Sequence, residues 1–420
     1  MNATQADVRG QSLSPRAVII LIVAASIISI SMGMRQSLGL FLPPLKVDLA
    51  VSATSFGFAM ALQNIVWGIS QPFIGMVGDR YGARPVLIGS AAIYAAGLVL
   101  MGLGGVGWGL DGGIGVMVGL GVAGTGYGVL IGTVSRAVPE KRRSKMVGLV
   151  SAAGSVATLV LAPLGQYVIG NYGWRPALFV FAGFAVLMGV LAALLGRGPE
   201  ASVPDAAINR EAASASDAIR ESVANAGFMA MTVAFFACGF QLMFITTHLA
   251  QYLAICGMPP NVGASAIGVI GISNAFGSYF FGVMGGRYSQ KRLLASIYFL
   301  RTVSIVSFLA VPITPTTTLV FAAAMGFLWL GVVPLVSGII RNLFGLKYFN
   351  TLFGVAFFSH QVGGFLGSWL GGLTFDITGS YNMAWGGMIV IGLTATVIQW
   401  FMNDRPQAGD DVKGLRPAAA

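Results

Sequence analysis

Twelve separate stretches of this chain are each long and apolar enough to cross a bilayer, and no other feature restricts its fold as strongly. A spanning helix needs about 20 mainly apolar residues. Such stretches occupy residues 17–42, 54–77, 84–104, 112–134, 145–169, 174–196, 225–253, 263–285, 292–312, 316–340, 348–374 and 382–402. The longest polar segment between them, 197–224, is rich in Ala and Ser with charges of both signs, and reads as a solvated linker. The pattern predicts an all-α membrane protein of twelve transmembrane helices in two six-helix, pseudo-symmetric bundles. The first bundle is 1–196, the linker 197–224, the second bundle 225–404 and a cytoplasmic tail 405–420. The first stretch is too long for a cleavable signal peptide and lacks a small-residue cleavage site.

Composition supports this reading. Charged residues make up 9% of the chain, against roughly 25% in soluble domains, too few to cover a water-facing surface. A soluble enzyme, a disordered tail and a nucleic-acid binder are thereby excluded. The sequence shows no nucleophile–base pair, acid pair or metal-ligand cluster, so neither catalysis nor a cofactor or metal is expected. Cys238 and Cys256 lie in or at the edge of one apolar stretch and form neither a disulfide framework nor a metal motif. The net charge of +10 resides in short loops, as in a protein oriented by basic residues. With the N-terminus inside, twenty of the 24 basic residues fall on the cytoplasmic side. Only Lys46 and Arg175 fall outside, while Arg35 and Arg301 lie within spans. Both termini are expected in the cytoplasm of a multi-pass protein of the cell inner membrane, working as a monomer.

The loop after span 2 contains Gly75, Gly78, Asp79, Arg80, Tyr81, Gly82 and Arg84; that after span 8 contains Gly282, Gly285, Gly286, Arg287, Tyr288 and Arg292. The copies start 207 residues apart, with Gly286 in place of the aspartate. Equivalent loops in two six-span halves indicate parallel repeats, which place a site near the midplane between them.

The first copy resembles the signature loop of the major facilitator superfamily. The resemblance implies that Asp79, Arg80, Arg84 and Arg287 gate the cytoplasmic face, and that spans 1, 4, 7 and 10 line the path. After span 4, Arg136, Pro139, Glu140, Lys141, Arg142 and Arg143, followed by Gly148, Ala153, Gly154 and Ser155 of span 5, resemble the monocarboxylate porters and the oxalate–formate antiporters. Two departures stand out. The acidic-Gly-aromatic opening of the animal monocarboxylate porters is absent from span 1. The arginine that relatives carry four residues after a span-8 asparagine is here Ser278, after Asn274.

An ionisable side chain within a span costs at least ~2.5–3.5 kcal/mol, so each needs a reason. All 14 acidic residues fall in loops, tails or span ends. The buried ionisable groups are Arg35 in span 1, His248 in span 7, Arg301 in span 9 and His360 in span 11. Fixed cations without fixed anions favour a cargo that brings negative charge. Arg35, followed by Gln36, offers the planar fork suited to a carboxylate. His360 matches by resemblance the position of an anion-binding lysine in the oxalate–formate antiporters, and a histidine there can also carry the coupling proton. Tyr127, in a glycine-rich stretch of span 4, aligns with a cavity tyrosine in the same relatives. Asn274, Ser278, His248 and Phe244 complete the expected binding set; Trp67 and Trp329 are candidate cavity walls, and Arg301 reads as structural. The expectation is a rocker-switch secondary transporter of a small organic anion, a monocarboxylate such as lactate or pyruvate, coupled to a proton. Organic-anion exchange and drug or metabolite export are the alternatives, and a non-transporting membrane sensor is a rival from another class.

Overall fold

The computed structural model describes residues 13–138, 140–196, 215–344 and 349–404. Those residues are helical almost throughout, with no strand among them. Ten helical stretches are long and apolar enough to cross a membrane by length and composition. Two more, Ala53–Tyr81 and Phe349–Thr378, bring the long helices to twelve. These two carry amides and a histidine in mid-length, namely Gln63, Asn64, Gln71, His360 and Gln361, and they pack along one another. Their polarity faces protein, where lipid does not have to solvate it.

Local chemistry sets the helix ends. Ser14 accepts from the Ala17 N–H at 3.1 Å and Ser52 from that of Ser55 at 3.0 Å, starting spans 1 and 2. Asn225 does the same for span 7, accepting from Phe228 at 2.9 Å. Single residues, Gly82 and Gly173, join spans 2 to 3 and 5 to 6 with φ of 87° and 91°, a region that favours glycine. Two spans are broken. Span 4 is interrupted at Gly126, between Val118–Thr125 and Tyr127–Ala137. Span 10 is interrupted between Pro315–Phe327 and Val332–Phe344. Spans 4 and 10 occupy equivalent places in the two repeats, so the interruption recurs with the repeat.

The apolar core forms two main clusters, and a small third one, Leu40 and Ala162 with Ala264 and Ile267, bridges them. One cluster runs from Ile20 to Leu195, and a second gathers Phe228 to Met402, joined from the first half by Ala53. Between the halves, span 2 packs on span 11 and span 5 on span 8. At the end of the bundle opposite the termini the contact is backbone on backbone. A Cβ on Gly39 would collide with the Thr246 carbonyl, one on Gly57 with that of Ser368, and one on Gly372 with that of Ala53. Bare glycine permits this approach. A carboxylate reinforces it: Asp376 of the second half accepts from the Thr54 N–H at 2.7 Å and the Ala53 N–H at 3.3 Å, at the free N-terminus of span 2. The Lys46 ammonium sits 4.6 Å from the Phe375 ring centroid across the same seam.

These contacts make the seam a closure that a single methyl group disrupts. In a Cys256→Ser background, a cysteine introduced at Thr54 is expected to react slowly with a maleimide in detergent. Gly372→Val should raise that rate by about tenfold or more by shifting the population to the parted state. Equal rates would show that glycine contact does not hold this end shut.

Candidate functional site

Arg35 lies in the last turn of helix Pro15–Ser37 and is 6% exposed. Its terminal nitrogen donates to the Asn64 Oδ1 of span 2 and to the Met243 Sδ of span 7, the latter at 3.2 Å. Its guanidinium carbon stands 4.8 Å from the centroid of the Trp67 ring. Asn64 is fixed in turn, because its amide donates to the Met60 carbonyl at 2.8 Å. Every one of these partners is neutral. The cation is solvated by dipoles and a ring face, and its charge is not cancelled. Two buried donors of the cluster, Arg35 Nε and Trp67 Nε1, have no acceptor among the described residues. A buried donor without an acceptor is costly and uncommon, and an added acceptor would satisfy it.

Span 4 brings Tyr127 to this region. Tyr127 and Tyr94 are both close enough to interact electrostatically with Arg35. The break at Gly126 starts a new helix at Tyr127, and the missing side chain at Gly154 leaves room for its hydroxyl, which a Cβ there would meet at 2.9 Å. Tyr94 donates to the Ser31 carbonyl at 3.3 Å and so braces span 1. Gln36 is half-buried beside Arg35 in the chain.

His360, 6% exposed, joins the cluster through Gln361. Its Nδ1 donates to Gln361 Oε1 at 3.2 Å, and Gln361 Nε2 donates to the Asn64 carbonyl at 3.0 Å. The ring lies parallel to Phe357, centroids 5.6 Å apart, and Phe357 also meets Trp67 at 5.6 Å. One continuous set of contacts therefore links Arg35 of the first half to His360 of the second.

The other expected site residues engage elsewhere. His248 is fully buried, with Nε2 donating to the Ser368 carbonyl at 2.7 Å and Nδ1 accepting from the Tyr381 hydroxyl at 3.2 Å. Both nitrogens are thus satisfied by protein at the glycine seam, among Phe244, Tyr381 and Trp385. Asn274 accepts from the Leu330 N–H at 2.8 Å and from Ser278 at 3.2 Å. That pair serves the break in span 10 and is not joined to Arg35, because an interrupted helix exposes backbone groups that membrane interior cannot solvate. Arg301 meets the other side of the break: it donates to the carbonyls of Leu328, at 2.6 Å, and of Trp329. Among the residues expected to gate, Arg84 donates to the Leu195 carbonyl at 3.3 Å and Arg287 is exposed. The side chains of Asp79, Arg80, Arg136 and Lys141–Arg143 lie outside the described residues. Sequence reasoning missed Asn64, Gln361, Tyr94 and Met243. Gln63-Asn64 and His360-Gln361 were legible as amides inside apolar runs, but nothing in the sequence pairs them across the halves.

The model of the Major Facilitator Superfamily matches residues 21–368. The chain belongs to the Major Facilitator Superfamily. It is 26% identical over 352 residues to monocarboxylate transporter 13 of Rattus norvegicus, covering 83% of this chain and 80% of that one. It is 22% identical over 362 residues to the oxalate:formate antiporter of Oxalobacter formigenes, covering 84% and 83%. Among solved structures, a bacterial homologue of the human lysosomal transporter Spinster, inward-facing and occupied, matches with a TM-score of 0.74 at 14% identity. That match covers 95% of this chain and 100% of that one, and bears on the fold alone. This member of the Major Facilitator Superfamily is thus a multi-pass membrane transporter with the two-bundle fold, and not an enzyme.

Arg301 and Arg35 should respond differently to truncation. Arg301→Ala leaves two buried carbonyls unmet at the span 10 break, at about 1–3 kcal/mol each. A lower Tm in detergent and a lower yield are expected, with transport per folded molecule retained. A Tm within about a degree of wild type would remove Arg301 as the support of that break.

Proposed function

We propose that this transporter moves a small organic anion, a monocarboxylate such as lactate or pyruvate, across a bacterial inner membrane by alternating access, with a proton as coupling ion. The observation that carries the reading is the pair of orphaned buried donors, Arg35 Nε and Trp67 Nε1, beside a guanidinium whose charge no described side chain cancels. A carboxylate supplies what both lack: negative charge and acceptor lone pairs in a plane that fits the guanidinium fork. The names of the relatives agree in chemistry.

On this reading the carboxylate docks on Arg35 in competition with Asn64, with Tyr127 beside it. The bound anion neutralises Arg35 itself and lowers the barrier to bringing the halves together over it. His360 takes up the proton. Residues 1–196 and 225–404 are the two rocking bodies, 197–224 is the linker between them and 405–420 the tail. The distribution of basic residues supports both termini in the cytoplasm, and on that orientation the glycine seam and the Asp376 clasp form the outer closure. The chain acts as a monomer.

The reading is tested in proteoliposomes with labelled lactate and pyruvate under an imposed pH gradient. Arg35→Ala should reduce uptake by about a hundredfold or more, the loss of a charge-assisted bidentate contact, and Arg35→Lys should recover part of it. Uptake persisting in Arg35→Ala, or transport of lipophilic cations unaffected by that change, would sink the anion site. His360→Gln is expected to flatten the pH profile while leaving anion exchange between equal pools intact. Wild-type uptake should be faster at acid than at alkaline external pH, as expected when a proton travels with the anion.

A further inference from the structure

Gln361 performs no chemistry in the reading above, yet its amide is committed at both ends. It is 1% exposed and sits on span 11 beside His360. Its Nε2 donates to the backbone carbonyl of Asn64, across the boundary between the halves, at 3.0 Å. A carbonyl can only accept, so the amide cannot be turned round without facing oxygen against oxygen. Its Oε1 is therefore the atom that faces His360, at 3.2 Å from Nδ1. An amide oxygen also only accepts. His360 Nδ1 must then carry hydrogen in both protonation states of the ring, and Nε2 is the nitrogen that gains and loses a proton. Gly68 gives the crossing room: a Cβ there would stand 3.3 Å from the Gln361 Cγ.

The surroundings of the ring contain no described carboxylate to take over this role. From span 7, Cys238 is close enough to His360 and to Arg301 of span 9 to interact electrostatically with both, and Tyr298 lies in the same group. From span 1, Arg35 reaches it only through Asn64 and Gln361. Phe235 and Phe357 cover the rest of the ring, with centroids 4.9 and 5.6 Å away.

We propose that Gln361 is the positioning residue of proton coupling: it holds His360 as the Nδ1–H form and ties that ring to Asn64, the residue that holds Arg35. A proton at His360 Nε2 and an anion at Arg35 then act on the two ends of one hydrogen-bonded chain that crosses between the halves. The inference rests on the proposed roles of Arg35 and His360, but its structural core does not.

The chain has two histidines, which makes the tautomers directly readable. His248, donating from Nε2 to Ser368, should be the opposite form. The test is nitrogen-15 NMR of the purified full-length protein, labelled at histidine, reconstituted in lipid and followed to alkaline pH until the ring signals stop changing. One Nδ1–H ring and one Nε2–H ring are expected, with the Nδ1–H signals absent in His360→Gln. Gln361→Met, of similar volume but without the amide, should convert the Nδ1–H ring to a mixture of forms. Two Nε2–H rings in the wild type would overturn the proposal, whether or not any anion is transported.

The functional arm uses Gln361→Glu with labelled lactate and pyruvate. A carboxylate facing Nδ1 should move the pH profile of uptake alkaline by about one unit or more, with the anion KM changed by less than about threefold. The shift should vanish in a His360→Gln background. A merely structural Gln361 would lower uptake equally at every pH, and an unshifted profile in Gln361→Glu overturns the coupling role. If instead His360→Gln leaves the wild-type profile unchanged, the proton-carrier reading of His360 fails, and the tautomer result stands or falls separately.

Discussion

The structure turns on how a guanidinium is kept charged in a dry interior without being neutralised. Burying an ion is expensive unless it is solvated by something. Arg35 is solvated by an amide oxygen, a thioether and an indole face. These come from spans 2 and 7, so the need to solvate one side chain of span 1 draws elements of both halves to one point. Asn64 and Gln361 extend that point to span 11. A carboxylate partner would have stabilised the arginine more strongly and left it with no remaining charge to offer.

The second buried arginine shows the contrast. Arg301 is fully buried and directs its donors at backbone carbonyls freed where span 10 is interrupted. Asn274 serves the N–H side of the same interruption. Two polar residues that stand inside apolar runs thus serve backbone that lipid cannot satisfy, although Arg301 keeps one buried terminal nitrogen without an acceptor among the described residues. What separates them from Arg35 is the partner. Backbone acceptors at a helix break are permanent, whereas the amide oxygen on Arg35 belongs to a side chain that another acceptor can replace.

Much of this was legible in the sequence. Span limits agree with the helices to within a few residues, because the length of an apolar run is a direct measure of how much bilayer it can cross. The repeat was visible in the loops around Asp79 and Gly286, and the absence of mid-span carboxylates singled out Arg35. Side-chain pairing was not legible. His248, with Thr247 and Gln251 nearby, has the same sequence character as His360, yet its two nitrogens are met by Ser368 and Tyr381, more than a hundred residues away in the chain. Asn274 could not be told from a site residue until the gap in span 10 was seen, since Pro315–Phe344 reads as one uninterrupted apolar run. Pairing across halves depends on how two bundles rest against each other, and no periodicity within one span encodes that.

The uncancelled cation at Arg35 also has an electrical consequence. On the proposed reading, the empty site carries one positive charge through the bilayer as the bodies reorient. A bound monocarboxylate alone brings that to zero, and a proton on His360 restores it. The empty and the doubly loaded forms then present the same charge to a transmembrane voltage, which acts with ~2.3 kcal/mol per charge per 100 mV. The voltage favours one direction of each step equally and drops out of the full cycle. The anion-only form carries no net charge and the proton-only form carries two, so only a cycle that moves anion and proton together and returns empty is free of the voltage.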